Sequence, residues 1–210
     1  MTQMALIERI RRAPCIHGLA PGELSLAMSL VALDVVARLA PHAPNVTPIA
    51  ASAVFAGMVL RSRTLALAVP LSALLASDLV VGTYDWRIMG VVYAALALPA
   101  LAARWGRAAR PVVVLAPLVL SSSLLFFGTT NFAVWAFSGM YAHDLHGLVH
   151  CYVAALPFFY NTVAGDVLWT TLLFGTWWSA KFLLAPAPGG VLNAASRYSR
   201  LLSSIRHARA

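Results

Sequence analysis

The chain has 210 residues, of which 60% are hydrophobic and only 10% charged, against the ~25% charged residues of an average soluble domain. A mean hydropathy of +0.79 would leave a water-soluble globule of this size with nowhere to bury its apolar side chains. The formal net charge of +8 does not imply nucleic acid, because the basic residues lie between apolar segments and form no continuous wetted face.

In chain order, residues 1–23 carry Arg9, Arg11 and Arg12, followed by Pro14, Gly18, Pro21 and Gly22. That pattern lacks the unbroken apolar core of a cleavable leader, so a cytoplasmic N-terminal segment is expected. Apolar runs bounded by charge or by Pro and Gly predict a membrane domain over 24–184. Its spans fall at 24–40, 48–60, 64–81, 88–103, 111–128 and 162–184. The second is short for a crossing and is kept because the charge pattern requires it. With the N-terminus inside, every Lys and Arg except Arg38 and Arg87 falls on the cytoplasmic side. This asymmetry predicts an all-α membrane protein with six transmembrane helices and both termini cytoplasmic. After Pro186, Pro188, Gly189 and Gly190, the tail 185–210 interleaves Leu192, Tyr198, Leu201, Leu202 and Ile205 with arginines. A basic amphipathic stretch of this kind suits the anionic inner leaflet or a cytoplasmic partner.

Polar groups then mark the candidate chemistry. Asp34 lies within the first span, where an unpaired carboxylate is costly, and Arg38 follows at i+4 in the orientation of an intrahelical ion pair. The first outer loop, 41–48, holds Pro41, His42, Pro44, Asn45 and Pro48, and its prolines fix an extended path. Ser52/Ala56 and Ala53/Gly57 give the second helix a small-residue face suited to a membrane-protein partner. Ser77, Asp78, Tyr84, Asp85, Trp86 and Arg87 gather around the second outer connection. Ser121, Ser122 and Ser123 in the fifth span are read as bonding backbone carbonyls or packing small against a neighbour.

The third outer connection, 129–161, is long for a loop. It contains Asn131, Trp135, His143, His146, His150 and Asn161, and its 138–161 part is expected to act as a lid. The alternative is an interfacial helix whose aromatic side chains anchor the bilayer surface. His143, His146 and His150 share one helical face. An unliganded interfacial cluster, a metal or tetrapyrrole contact, and a pH sensor are the three readings. His143 and His150 lie about 10 Å apart along a helix, so a metal would take His146 and His150 with a further ligand from another loop, such as His42. Cys15 and Cys151 form no CxxC motif and predict no disulfide framework. No GxSxG, HExxH, Walker or GxGxxG motif is present, so no enzyme is expected.

The segments Arg38–Ile49, Ser77-Asp78-Leu79 with Gly82, Thr130–Trp135, Cys151–Phe159, Asn161-Thr162 and Gly165-Asp166 occur together in this order. The combination, over about residues 30–184, resembles an uncharacterised family of bacterial six-helix membrane proteins described as transport proteins. It is similar in size and topology to the substrate-binding S components of energy-coupling-factor (ECF) vitamin transporters. The resemblance implies an S-component-like bundle in the bacterial cytoplasmic (inner) membrane, with a ligand near the outer face beneath a lid segment. The Ala-x-x-x-Ala docking motif of that family's first helix is absent: Ala27, Ala32 and Ala37 are spaced by five.

Together these readings predict a solute-binding or transport protein that takes a vitamin-like molecule, a tetrapyrrole or a metal. Asn45, Asp78, Tyr84, Trp86, Asn131, Trp135, Asn161 and Asp166 are its expected binding residues. A structural or assembly subunit of a larger membrane complex is the alternative, motivated by the small-residue face and by the interfacial tryptophans.

Overall fold

In a computed structural model, residues 21–108 and 111–184 are described. The basic N-terminal residues Arg9, Arg11 and Arg12 and the amphipathic tail lie outside them. The described residues form α1 (Pro21–Leu39), α2 (Ile49–Val59), α3 (Arg63–Val81), α4 (Trp86–Ala102), a 3₁₀ turn (Trp105–Ala108), α5 (Pro111–Phe137) and α6 (Leu145–Leu184). Among them there is no strand.

Local chemistry explains the helix starts. Ser62 caps α3 by accepting from Leu65 N at 3.2 Å, and Asp85 caps α4 by accepting from Arg87 N at 2.9 Å. Asp144 caps α6 by accepting from Gly147 N at 2.7 Å; each cap satisfies an amide that the helix cannot. Pro70, Pro99, Pro117 and Pro157 lie inside helices, as apolar membrane helices tolerate.

Three helices are long and apolar enough to cross a membrane: α3, α5 from Val113, and α6. These are the features of a membrane protein. The other expected crossings meet that description less well. α1 carries Glu23, Asp34 and Arg38 within its 19 residues, while α2 has 11 residues and α4 has 17. At 1.5 Å per residue α2 is only about 16 Å long, half the ~30 Å hydrocarbon core.

Two boundaries differ from those expected. The fifth span does not stop at 128 but continues to Phe137, and the sixth begins at Leu145 rather than 162. The expected lid at 138–161 is therefore a short connection, 138–144, leading directly into α6. Thr129-Thr130-Asn131 does not break α5, because Thr129, Thr130 and Asn131 each donate to a carbonyl four residues back and so stay inside the helical pattern.

The described residues up to Phe174 form one compact unit. At one end of it, Glu23 accepts from Arg61 N and Arg104 Nη2 donates to Arg61 O at 3.0 Å, so α1 and the turn just after α4 clamp the connection between α2 and α3. At the opposite end lie the connections 40–48, 82–85 and 138–144, where the Arg87 guanidinium sits 4.8 Å from the Phe137 ring centroid. We call this the loop end.

α2 is the core of this unit. Every residue from Ile49 to Gly57 is buried, and Phe55 meets Phe174 of α6 edge to face at 5.0 Å. A Cβ on Gly57 would lie 2.2 Å from Ala100 O, so α2 and α4 touch backbone to backbone. The expected partner surface Ser52, Ala53, Ala56 and Gly57 is corrected accordingly: it is consumed inside the chain. The described residues from Gly175 onward belong to a second unit, in which Lys181 Nζ lies 4.9 Å from the Trp177 ring centroid.

Candidate functional site

Some buried polar groups of the bundle form interhelical ties, and others line a pocket at the loop end. Asp34 is fully buried and accepts from Ser52 Oγ at 2.7 Å. It does not pair with Arg38, as the i+4 spacing suggested. Arg38 instead reaches α3, where Nη2 lies 2.7 Å from Asp78 Oδ1 and Nη1 donates to Ser77 Oγ at 2.7 Å. Tyr93 of α4 donates to Asp78 Oδ2 at 2.8 Å. Asp78 thus joins α1, α3 and α4 and is spent on structure. Burial, and behind it the Asp78 carboxylate, pushes the neighbouring Tyr84 phenol above its ordinary range. Asp166 on α6 accepts from Ser123 Oγ of α5 at 2.6 Å, a third tie.

The pocket lies where loop 40–48 meets α5 and α6. Asn45 takes a left-handed conformation with φ 65°, which Asn tolerates better than most residues. A turn closed by Val46 N donating to Ala43 O at 3.1 Å folds the loop back at this point. Gly165 lets the loop lie flat on α6, since a Cβ there would be 3.0 Å from Val46 Cα. The result is a cavity of about 310 Å³ lined by Pro44, Asn45, Phe126, Phe127, Thr130, Asn131, Ala155, Phe158, Phe159 and Thr162. Its size is at the lower end of the ~300–1,000 Å³ typical of small-molecule sites.

The hydrogen-bond inventory of this pocket is specific. Thr130 and Thr162 donate their hydroxyl hydrogens to Phe126 O and Phe158 O at 2.7 and 2.9 Å, leaving oxygen lone pairs. Asn131 gives one amide hydrogen to Phe127 O at 2.8 Å, which leaves its second N–H and its carbonyl oxygen. Asn45 adds a whole amide. Among the described residues no ionisable side chain lines the cavity. Phe127 and Phe159 pack at 4.6 Å between centroids, and Tyr152 meets Phe127 edge to face at 5.5 Å. The arrangement offers acceptors, a few donors and aromatic walls to an uncharged molecule.

Of the sequence-expected binding residues, Asn45 and Asn131 meet here. Asp78 and Asp166 form ties, Tyr84 sits by Asp78, and Trp86 is 79% exposed. Trp135 serves the α5–α6 connection, donating from Nε1 to Ala142 O at 2.9 Å and packing on His143 at 5.6 Å. Asn161 is half-buried on α6, while its neighbour Thr162 faces the cavity. Thr130, Thr162 and the four phenylalanines were missed. The i, i+4 pairs Phe126/Thr130, Phe127/Asn131 and Phe158/Thr162 were the available signal.

The histidines make aromatic contacts rather than a ligand set. His150 packs edge to face on Tyr141 at 5.6 Å, and His146 and His150 lie 6.4 Å apart between ring centroids. Among the described residues no three His, Cys, Asp or Glu side chains come together to hold a metal ion, so His42 does not join His146 and His150. His42 Nδ1 instead lies 2.6 Å from Ala40 O. Cys151 is buried, with Sγ 3.4 Å from Asn131 O.

A family model described as a family of unknown function (DUF6580) matches residues 21–187. The chain belongs to this family. The DUF6580 match starts at the first residue of α1 and ends just past α6, so the family unit is the helical bundle itself, pocket included. No curated protein and no solved structure matches the chain.

Proposed function

We propose that this protein captures a small uncharged molecule in the Asn45–Asn131 pocket and passes it across a membrane, without chemical conversion. In this reading the loop end faces outward from the bacterial cytoplasmic membrane. All six helices serve as crossings of an S-component-like bundle, with α2 completed by its flanking segments, and both termini are cytoplasmic. The carrying observation is the meeting of loop 40–48 with α5 and α6 around a cavity that has polar atoms and no charge. An uncharged guest suits that lining, because nothing there would compensate a buried charge.

The test is a thermal-shift screen of purified protein in mild detergent against uncharged vitamins and other small heterocycles, with mass spectrometry of co-purifying molecules. Asn45→Ala and Asn131→Ala should each weaken the binding of any hit about tenfold or more while the protein stays folded. A hit bound equally by wild type and both variants would remove this pocket from the function. The alternative of a structural or assembly subunit drew on the small-residue face of α2, and that face is already occupied by Ala100 and Ala103.

A further inference from the structure

One helical turn below the pocket, the chain places oxygen atoms that its own hydrogen bonds do not explain. Thr162, Asp166 and Thr170 succeed one another at i, i+4 and i+8 along a single face of α6. Ser123 faces them from α5, with Oγ 2.6 Å from Asp166 Oδ2. Asp166 and Thr170 are both buried, at 4% and 7% exposure.

Two facts mark this group. First, Asp166, like Asp34, has no cationic partner among the described residues, whereas Asp78 holds Arg38 at 2.7 Å; an ionised carboxylate removed from water needs a compensating charge. Second, and here the group differs from Asp34, a neighbouring hydroxyl, Thr170 Oγ1, is buried without a hydrogen-bond partner among the described residues. Helical threonines ordinarily bond the carbonyl one turn back. Thr162 does so to Phe158 O and Thr171 to Val167 O. Thr170 departs from that habit on the same face as Asp166, and an unsatisfied buried hydroxyl calls for a missing partner such as an ion.

We propose that Asp166, Ser123 and Thr170 form a binding site for sodium ion beneath the pocket. All three ligands are hard oxygens, the donor type of alkali and alkaline-earth cations rather than of zinc or copper. A single carboxylate balances one positive charge, which selects a monovalent ion in a low-dielectric interior. Thr162 connects this site to the cavity above it, since it lines that cavity and stands one turn from Asp166. Sodium binding here is separate from solute binding and does not depend on the identity of the pocket's guest.

The experiment is thermal unfolding of the full chain in mild detergent, titrated with sodium chloride against choline chloride at constant ionic strength and pH, with no organic ligand added. Wild type should gain about 3–6 °C once sodium exceeds its dissociation constant tenfold, and choline should give no gain. Thr170→Val keeps the side-chain shape and removes an oxygen that bonds nothing among the described residues. It should leave the sodium-free midpoint unchanged or raise it, and move the sodium titration at least tenfold to higher concentration. Asp166→Asn, which still accepts from Ser123, should abolish the response. Equal behaviour of wild type in sodium and choline would overturn the proposal, as would an unaltered sodium response in Thr170→Val. A midpoint that follows pH alone and ignores sodium would also overturn it, by assigning Asp166 to a proton.

Discussion

Arg38 reaches across to Asp78 on α3, at 2.7 Å, and leaves Asp34, one turn behind it on its own helix, to the hydroxyl of Ser52. The choice follows from geometry: an i, i+4 pair gains only a few tenths of a kcal/mol. A link between helices fixes their packing and satisfies a carboxylate that Tyr93 also engages.

Removing either member of this pair strands a buried charge. Asp78→Ala should destabilise the protein by about 3–5 kcal/mol. Asp34→Asn, which keeps a hydrogen bond to Ser52 and strands no cation, should cost no more than about 1.5 kcal/mol. Denaturant unfolding in mild detergent would rank them, and a larger loss for Asp34→Asn would contradict the assignment of Arg38.

Close backbone approach makes a second test. Gly57→Ala places a methyl 2.2 Å from Ala100 O and should cost about 1–3 kcal/mol or more. Gly90→Ala, also within a helix but with nothing within 4 Å, should be neutral or stabilising by up to about 1 kcal/mol. Melting temperatures of the two variants, measured side by side, decide the matter.

At the start of α6, Asp144→Ala removes the acceptor for Gly147 N. The expected loss is about 0.5–2 kcal/mol, with faster hydrogen exchange confined to the first turn of α6. Asp144→Asn should retain most of the cap.

The pair Asp85–Arg87 gives a pH signature. The Arg87 guanidinium, bonded to the Asp85 side chain, holds that carboxyl well below its ordinary 3.8, at about 2. A depressed folded-state value contributes stability above the unfolded value and loses it as pH falls through the folded one. Asp85→Asn should therefore differ from wild type above about pH 4 and converge with it between pH 4 and pH 2. Because the group is exposed, the difference will be small. Paired melts across this range, at low salt, provide the measurement.

Much of the architecture was legible in the sequence because apolar run length is a direct physical signal. The starts of α3 and α5 and the ends of α3 and α6 lie within a residue or so of the expected ones. The extended α5–α6 pair was hidden. Thr129, Thr130, Asn131 and Pro157 look like breakers in a water-based reading, yet the first three turn their polar groups to helix carbonyls and Pro157 is accommodated inside α6. The pocket was half visible. Asn45 and Asn131 were found as uncommitted amides, but Asn161 was chosen over Thr162, and one position along a helix rotates a side chain by about 100°. The partner of Arg38 was invisible because a contact between residues about 40 apart in sequence leaves no local periodicity.

The enclosure of α2 bears on how the protein is made. This helix is translated directly after α1, yet Ala100 and Ala103, which close over Gly57, are synthesised more than forty residues later. At 11 residues it is too short to be released into lipid as an ordinary crossing. Its amides and small side chains find their final surroundings only when α3 and α4 have arrived. Biogenesis of this chain is thus a matter of waiting. Its most buried element is translated before α4, whose residues complete its surroundings.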